Sequence, residues 1–244
     1  MNIFVLFVVL NLLHPQPNPL KTTEMKQEQS ALLEAVKQNK LQLAEEKLNA
    51  GADVNTRDEN QRSLLLIATQ ARHFEMAQLL VAHGADVNQQ DNQLASPFLH
   101  AGATGQTELL KLFLANGARF DVFNRYYGSA LIPACERGHV ETVRLLANTQ
   151  GFPIDHINRL GWTALLEAII LGDGSARYQE IVQILIAAGC DISLPDGEGV
   201  TPLQHAKRAN QTTIVKLLKE AASQKGKVDS ISSVNEEPAR LNSR

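Results

Sequence analysis

Gly84-Ala85-Asp86-Val87-Asn88, followed by Ser96 and Pro97, sets the phase of this chain. The same glycine recurs at 51, 84, 117, 151 and 189, and a hydroxyl residue follows each at a constant distance: Ser63, Ser96, Ser129, Thr163 and Thr201. Successive glycines stand 33, 33, 34 and 38 residues apart, so the unit has 33 residues, lengthened once by one and once by five. Glycine suits the left-handed backbone just past a helix end, where a side chain would clash. Serine or threonine caps the next helix by accepting from its unpaired N–H groups. Pro97 and Pro202 then take a first-turn position whose N–H has no partner to lose. Behind the cap, apolar residues recur at helical spacing, as in Leu131, Ile132, Ala134, Val140, Val143, Leu145 and Leu146, with a break at Gly138. Each unit therefore holds two short helices, and the five hydroxyls are expected to be five caps.

Thr201-Pro202-Leu203-Gln204-His205-Ala206, Arg137-Gly138-His139-Val140-Glu141 and Ala82-His83-Gly84-Ala85-Asp86-Val87-Asn88 resemble the ankyrin repeat, a unit of about 33 residues built from a turn and two helices. The resemblance runs over roughly residues 29–221, with six units in phase. It implies an all-α ankyrin-repeat solenoid of helix-turn-helix units joined by hairpin-like turns. One departure stands out. The histidine that the family carries three residues after the hydroxyl is replaced by Leu66, Leu99, Ile132, Leu166 and Gln204, so apolar contact is expected where that imidazole would bond between repeats.

In a stacked array the 244 residues count repeats rather than domains. A net charge of −3, with Lys and Arg scattered, disfavours a groove for a phosphate backbone and hence a nucleic-acid partner. Two cysteines, Cys135 and Cys190, are too few for a disulfide framework and read as small buried thiols. No Gly-rich phosphate loop, zinc-binding His-Glu-x-x-His or nucleophile elbow is present, and Asp173-Gly174 lacks the ligand pattern of a calcium loop. No cofactor, no metal and no enzymatic activity are expected.

Three segments follow along the chain. Residues 1–24 form an apolar leader and a Pro-rich linker. The run at 3–13 is too short to span a bilayer, and it lacks the preceding basic residue and following cleavage site of a secretory signal. A start at Met25 and a cytoplasmic protein are the expectation; a periplasmic one is the alternative if that run is a signal. Pro15, Pro17 and Pro19 argue for extended backbone. Residues 25–222 hold the repeats, and residues 223–244, without apolar periodicity, read as a disordered tail. Two positions before the hydroxyl, where glycine is usual, stand Gln61, Leu94 and Tyr127, so strained backbone or a changed turn is expected there. The five-residue insertion falls within Gly172-Asp173-Gly174-Ser175-Ala176-Arg177, between the helices of the fifth unit.

The family grips other proteins through its turn tips and concave face, and the tips of units three to five are the least generic here. They hold Phe123, Arg125, Tyr126, Tyr127, His156, Arg159, Leu160 and Trp162: the only tryptophan and two of three tyrosines in a chain with 5% aromatic residues. Such side chains dominate interfaces, although Tyr127 and Trp162 would serve equally as structural wedges between turns. Phe120 matches Val54 and Val87 and reads as core. Four residues after the hydroxyl stand Ile67, His100, Pro133, Glu167 and His205, which places Glu167 and His205 one repeat apart and near enough to meet. The expected partner-binding set is Phe123, Arg125, Tyr126, Tyr127, His156, Arg159, Trp162, Glu167 and His205, gripping a protein partner as a monomer. The alternative is a small-ligand or catalytic site in the groove of units four and five, where Glu136, His139, Asp155, His156, Glu167, Asp173 and His205 concentrate under an insertion able to act as a lid.

Overall fold

The computed structural model describes the backbone of residues 19–235 and the side chains of 26–224. Within them the chain forms six helix pairs: α1 (Pro19–Lys37) with α2 (Leu41–Asn49), α3 (Leu64–Gln70) with α4 (Phe74–Ala82), α5 (Pro97–Ala103) with α6 (Thr107–Ala115), α7 (Leu131–Glu136) with α8 (Val140–Ala147), α9 (Ala164–Ile170) with α10 (Ala176–Ala187), and α11 (Pro202–Arg208) with α12 (Thr212–Asn235). Each first helix packs on the first helix of the next pair, and each second helix on the next second helix. Among the described residues no strand forms, and a single bridge joins Arg57 to Ser63.

The inner helices α3 and α9 are enclosed on both sides by their neighbours and behind by their own partner helix, so they are buried all round rather than amphipathic, whereas the end helix α11 exposes Gln204, Lys207 and Arg208. Every residue of α3 from Leu64 to Thr69 is buried, as is every residue of α9 from Ala164 to Ile169, including Glu167. Leu66, Leu99, Ile132 and Leu166 are buried where the family's histidine would stand. The resulting core is continuous from Leu32 to Leu218. Phe120 packs against it between Phe98 and Phe152, at ring distances of 6.2 and 5.0 Å. Between α5 and the cap of α7 the backbones are close: a Cβ on Gly102 would lie 2.7 Å from the Ala130 Cβ and 2.8 Å from its carbonyl oxygen. Cys135 is buried and Cys190 half-buried, both as free thiols whose ionisation burial suppresses, the latter with its pKa pushed up to about 12.

Four of the five hydroxyls cap as expected: Ser63, Ser96, Thr163 and Thr201 each accept from the N–H three residues on, at 3.1 to 3.3 Å. Ser129 does not. Its carbonyl should receive the N–H of the residue four positions later, as Ser96 receives His100 at 2.9 Å, but that residue is Pro133. The helix consequently starts one residue late with Ala130 as its cap, and Ser129 Oγ is buried without a hydrogen-bond partner. Gln61, Leu94 and Tyr127 adopt left-handed backbone, with φ of 61°, 56° and 59°, as their glycine-like positions require.

Three expectations change. The backbone at Pro19 is helical rather than extended, because proline at a helix start sacrifices no hydrogen bond. Residues 223–235 continue α12, since a packed helix propagates at little cost through Lys, Gln and Ser once nucleated; the earlier linker, the leader and residues 236–244 lie outside the described residues. The insertion in unit five is shared between a loop and an outer helix, α10, which has 12 residues where α8 has 8. It is no free lid. Tyr178 Oη donates to the Glu136 carbonyl at 2.8 Å, Gln211 Nε2 to the carbonyls of Ile169 and Gly172 at 2.9 and 3.2 Å, and Gln179 Nε2 to that of Gly174 at 2.8 Å.

Candidate functional site

The turn tips are built on one repeated device. An Asp or Asn five residues before the hydroxyl, at 58, 91, 124, 158 and 196, accepts through Oδ1 from the backbone N–H groups two and four residues on, at 2.8 to 3.0 Å. This side chain replaces the partners a tight turn would otherwise leave to water. The spacing is legible in the sequence, although glycine and hydroxyl alone already set the phase. Between tips, Arg159 binds back to the preceding turn, its N–H to the Tyr126 carbonyl at 2.9 Å and its guanidinium to the Arg125 carbonyl at 2.8 Å. Neighbouring tips thus form a rigid edge.

Below that edge, the inner helices of repeats three to five and their tips enclose a groove of about 580 Å³. Its walls are Leu99, Ile132, Pro133, Tyr126, Leu160 and Leu171; its polar side chains include His100, Arg125, Glu136, Arg137 and Glu167. Tyr126, Leu160 and Leu171 are 53%, 57% and 49% exposed, a cluster of apolar surface on the groove and its rim. Arg125 stacks over the Tyr126 ring at 4.9 Å.

Glu167 lies at the bottom, 5% exposed, with Oε1 accepting from Asn158 Nδ2 at 2.8 Å. Burial, reinforced by the negative charge of Glu136, pushes its pKa up to about 7 despite that hydrogen bond. His100 is held below the usual histidine value by burial and by the charges of Arg137 and Arg72. The groove therefore disfavours charge on both its imidazole and its buried carboxyl.

Of the nine residues singled out from the sequence, Arg125, Tyr126 and Glu167 line this groove. Phe123, Tyr127 and His156 pack on one another instead: Phe123 stacks on His156 at 4.2 Å and tilts against Tyr127 at 4.5 Å, and His156 Nε2 donates to the Tyr127 carbonyl at 2.6 Å. Arg159 spends its donors on the neighbouring turn. Trp162 is half-buried and its backbone N–H donates to Asn158 Oδ1 at 3.0 Å. His205 bonds to Asp196 at 2.7 Å, so the expected meeting with Glu167 gives way to two separate pairs, each within its own repeat.

The other residues of the alternative site are dispersed. His139 packs on Gly105 at the inter-helix turns, Asp173 accepts from Ser175 N–H, and Asp155 accepts from Asp191 N–H. Among the described residues no group of three or more His, Cys, Asp or Glu is arranged to hold a metal, and no helix is long and apolar enough to cross a membrane.

The profile of a family described as ankyrin repeats (3 copies) matches residues 6–91 and 98–196. Among solved structures, an ankyrin repeat domain from Acinetobacter baumannii AYE is 46% identical, with a TM-score of 0.76 over 78% of this chain and 97% of its own. The ankyrin repeat protein EF0377 is 39% identical, with a TM-score of 0.75 over 78% of this chain and 96% of its own. YahD of Escherichia coli (strain K12), named as an ankyrin repeat protein, is 42% identical over 81 residues, which span 33% of this chain and 40% of YahD.

Proposed function

Because the chain belongs to the ankyrin repeat family, whose arrays generally serve as protein–protein interaction surfaces, we propose that it is a non-enzymatic binding module that grips a protein partner through the turn tips and concave face of repeats three to five. The observation that carries this reading is the groove with its exposed apolar rim of Tyr126 and Leu160. The rest of the apolar content is largely sunk into the continuous core, so this cluster is the natural place to exclude water from a complex. Tyr126 and Leu160 act as anchors, whereas Trp162 is half-buried and Tyr127 packs on Phe123 and His156. Arg125 orients by charged hydrogen bonds, and Phe123, Tyr127, His156 and Arg159 hold the edge in shape. Because the surface is preformed, little ordering opposes association.

The test is affinity purification from the native host with the wild-type chain and a Tyr126→Ala/Leu160→Ala variant. One or more proteins should be captured by the former and lost with the latter, while helical circular dichroism stays unchanged. Equal capture by both forms refutes the assignment to this face.

A further inference from the structure

Each tip residue has a counterpart nine positions later on the inner helix, and the five rungs differ in charge. In repeat two Asp58 faces an apolar position, Ile67, and takes its countercharge from Arg62 at 2.7 Å. In repeat three Asp91 is close enough to His100 to favour its charged form. Repeat four has the neutral Asn124 and Pro133, and repeat six the Asp196–His205 pair at 2.7 Å. Repeat five inverts the rung. The acid sits on the helix as Glu167, the tip offers only the Asn158 amide at 2.8 Å, and no cation closes the pair.

Glu136, from the preceding inner helix, lines the same groove and adds negative charge rather than relieving it. Arg125 and Arg137 line the groove as well, but neither pairs with Glu167: Arg137 donates to the Ala103 carbonyl at 2.6 Å and Arg125 lies over Tyr126. A carboxylate so deeply buried is normally paired. Here the carboxyl has no cationic partner among the described residues and faces a groove with both apolar and polar walls.

Resting on the reading of this groove as the partner-binding surface, we infer that it receives a lysine or arginine side chain from an apolar segment of the partner, with Glu136 and Glu167 as its two acceptors. The stem of such a side chain lies along Leu99, Ile132 and Pro133, and apolar neighbours in the segment meet Tyr126, Leu160 and Leu171. Charge-assisted hydrogen bonds to a desolvated carboxylate are the strong kind. Binding supplies the cation that the fold itself leaves out.

The experiment selects peptides from a random phage-displayed library on the immobilised full chain, then measures fluorescein-labelled copies by anisotropy. Each peptide is tested against wild type, Glu167→Gln and the Glu136→Gln/Glu167→Gln double variant. The expected result is a shared Lys or Arg flanked by apolar residues. Replacing it with norleucine weakens binding to wild type about 10- to 100-fold, the worth of a hydrogen bond to a charged group, and has little further effect on the double variant. Glutamine keeps the shape and the acceptor used by Asn158, so circular dichroism should match wild type. Peptides that lack a basic residue, or that bind the double variant as tightly as wild type, overturn the inference but leave the concave-face reading standing if they still require Tyr126 and Leu160. A library that yields no binder also overturns it, and the Tyr126→Ala/Leu160→Ala purification then decides separately whether the face binds a folded partner.

Discussion

Replacing Glu167 with glutamine should make this protein more stable at alkaline pH and leave it unchanged at acid pH. Below pH 4.5 the folded and unfolded chains both hold the Glu167 proton, and the carboxyl costs the fold little. Between pH 4.5 and about 7 the unfolded chain releases that proton while the folded chain keeps it, so stability falls as pH rises. Above about pH 7 the folded carboxyl must also ionise, and the cost is complete. At about 1.4 kcal/mol per pH unit, the interval corresponds to up to about 3 kcal/mol. The cause is burial first and the charge of Glu136 second, so Glu136→Gln should recover only the smaller part. Glutamine retains an Oε1 acceptor for Asn158 Nδ2 and carries no charge to bury.

The assay is thermal unfolding of wild type and Glu167→Gln across about pH 4 to pH 8. The two midpoints should coincide at the acid end and separate by roughly 6–12 °C at the alkaline end. A constant offset across the range would mean that Glu167 titrates as an ordinary surface carboxyl, and the argument from an uncompensated rung would fail. A binding protein that retains so unfavourable an acid is consistent with a partner that neutralises it, and a basic peptide bound in the groove should shrink the difference between the two proteins.

The caps offer a paired contrast. Ser96→Ala removes a working cap and should cost about 1 kcal/mol in chemical denaturation, whereas Ser129→Ala removes a buried hydroxyl without a partner and should be neutral or stabilising; equal losses would show that Ser129 is hydrogen-bonded after all. Leu94→Gly relieves left-handed backbone at an exposed side chain and should raise stability by about 1 kcal/mol, and a lower denaturation midpoint would refute strain at that position.

The repeat architecture was legible because it is local chemistry repeated in register. Glycine at a left-handed exit, a hydroxyl at a helix start and apolar spacing between them each act within a few residues, and periodicity multiplies a weak signal five times over. The strained tips at Gln61, Leu94 and Tyr127 follow from the same logic, as does the core position of Phe120. The exception at Ser129 was local too. Pro133 stands in plain view, but its effect appears only when the carbonyl it fails to serve is identified.

The site was legible as a region and not as a set of side chains. Sequence places Tyr126, Tyr127 and Trp162 in turns, but adjacent residues of a tip point to opposite sides of the edge, so Tyr126 faces the groove while Tyr127 closes on Phe123 and His156. Likewise, matching positions in successive repeats suggested that Glu167 and His205 meet, yet each is claimed within its own repeat by a tip residue nine positions back. Period and capping determine which residues recur and where helices begin. The stacking of one repeat on the next decides which polar groups are sealed from water, and only that burial turns Glu167 from one acid among many into a carboxyl that resists ionisation until a cation reaches it.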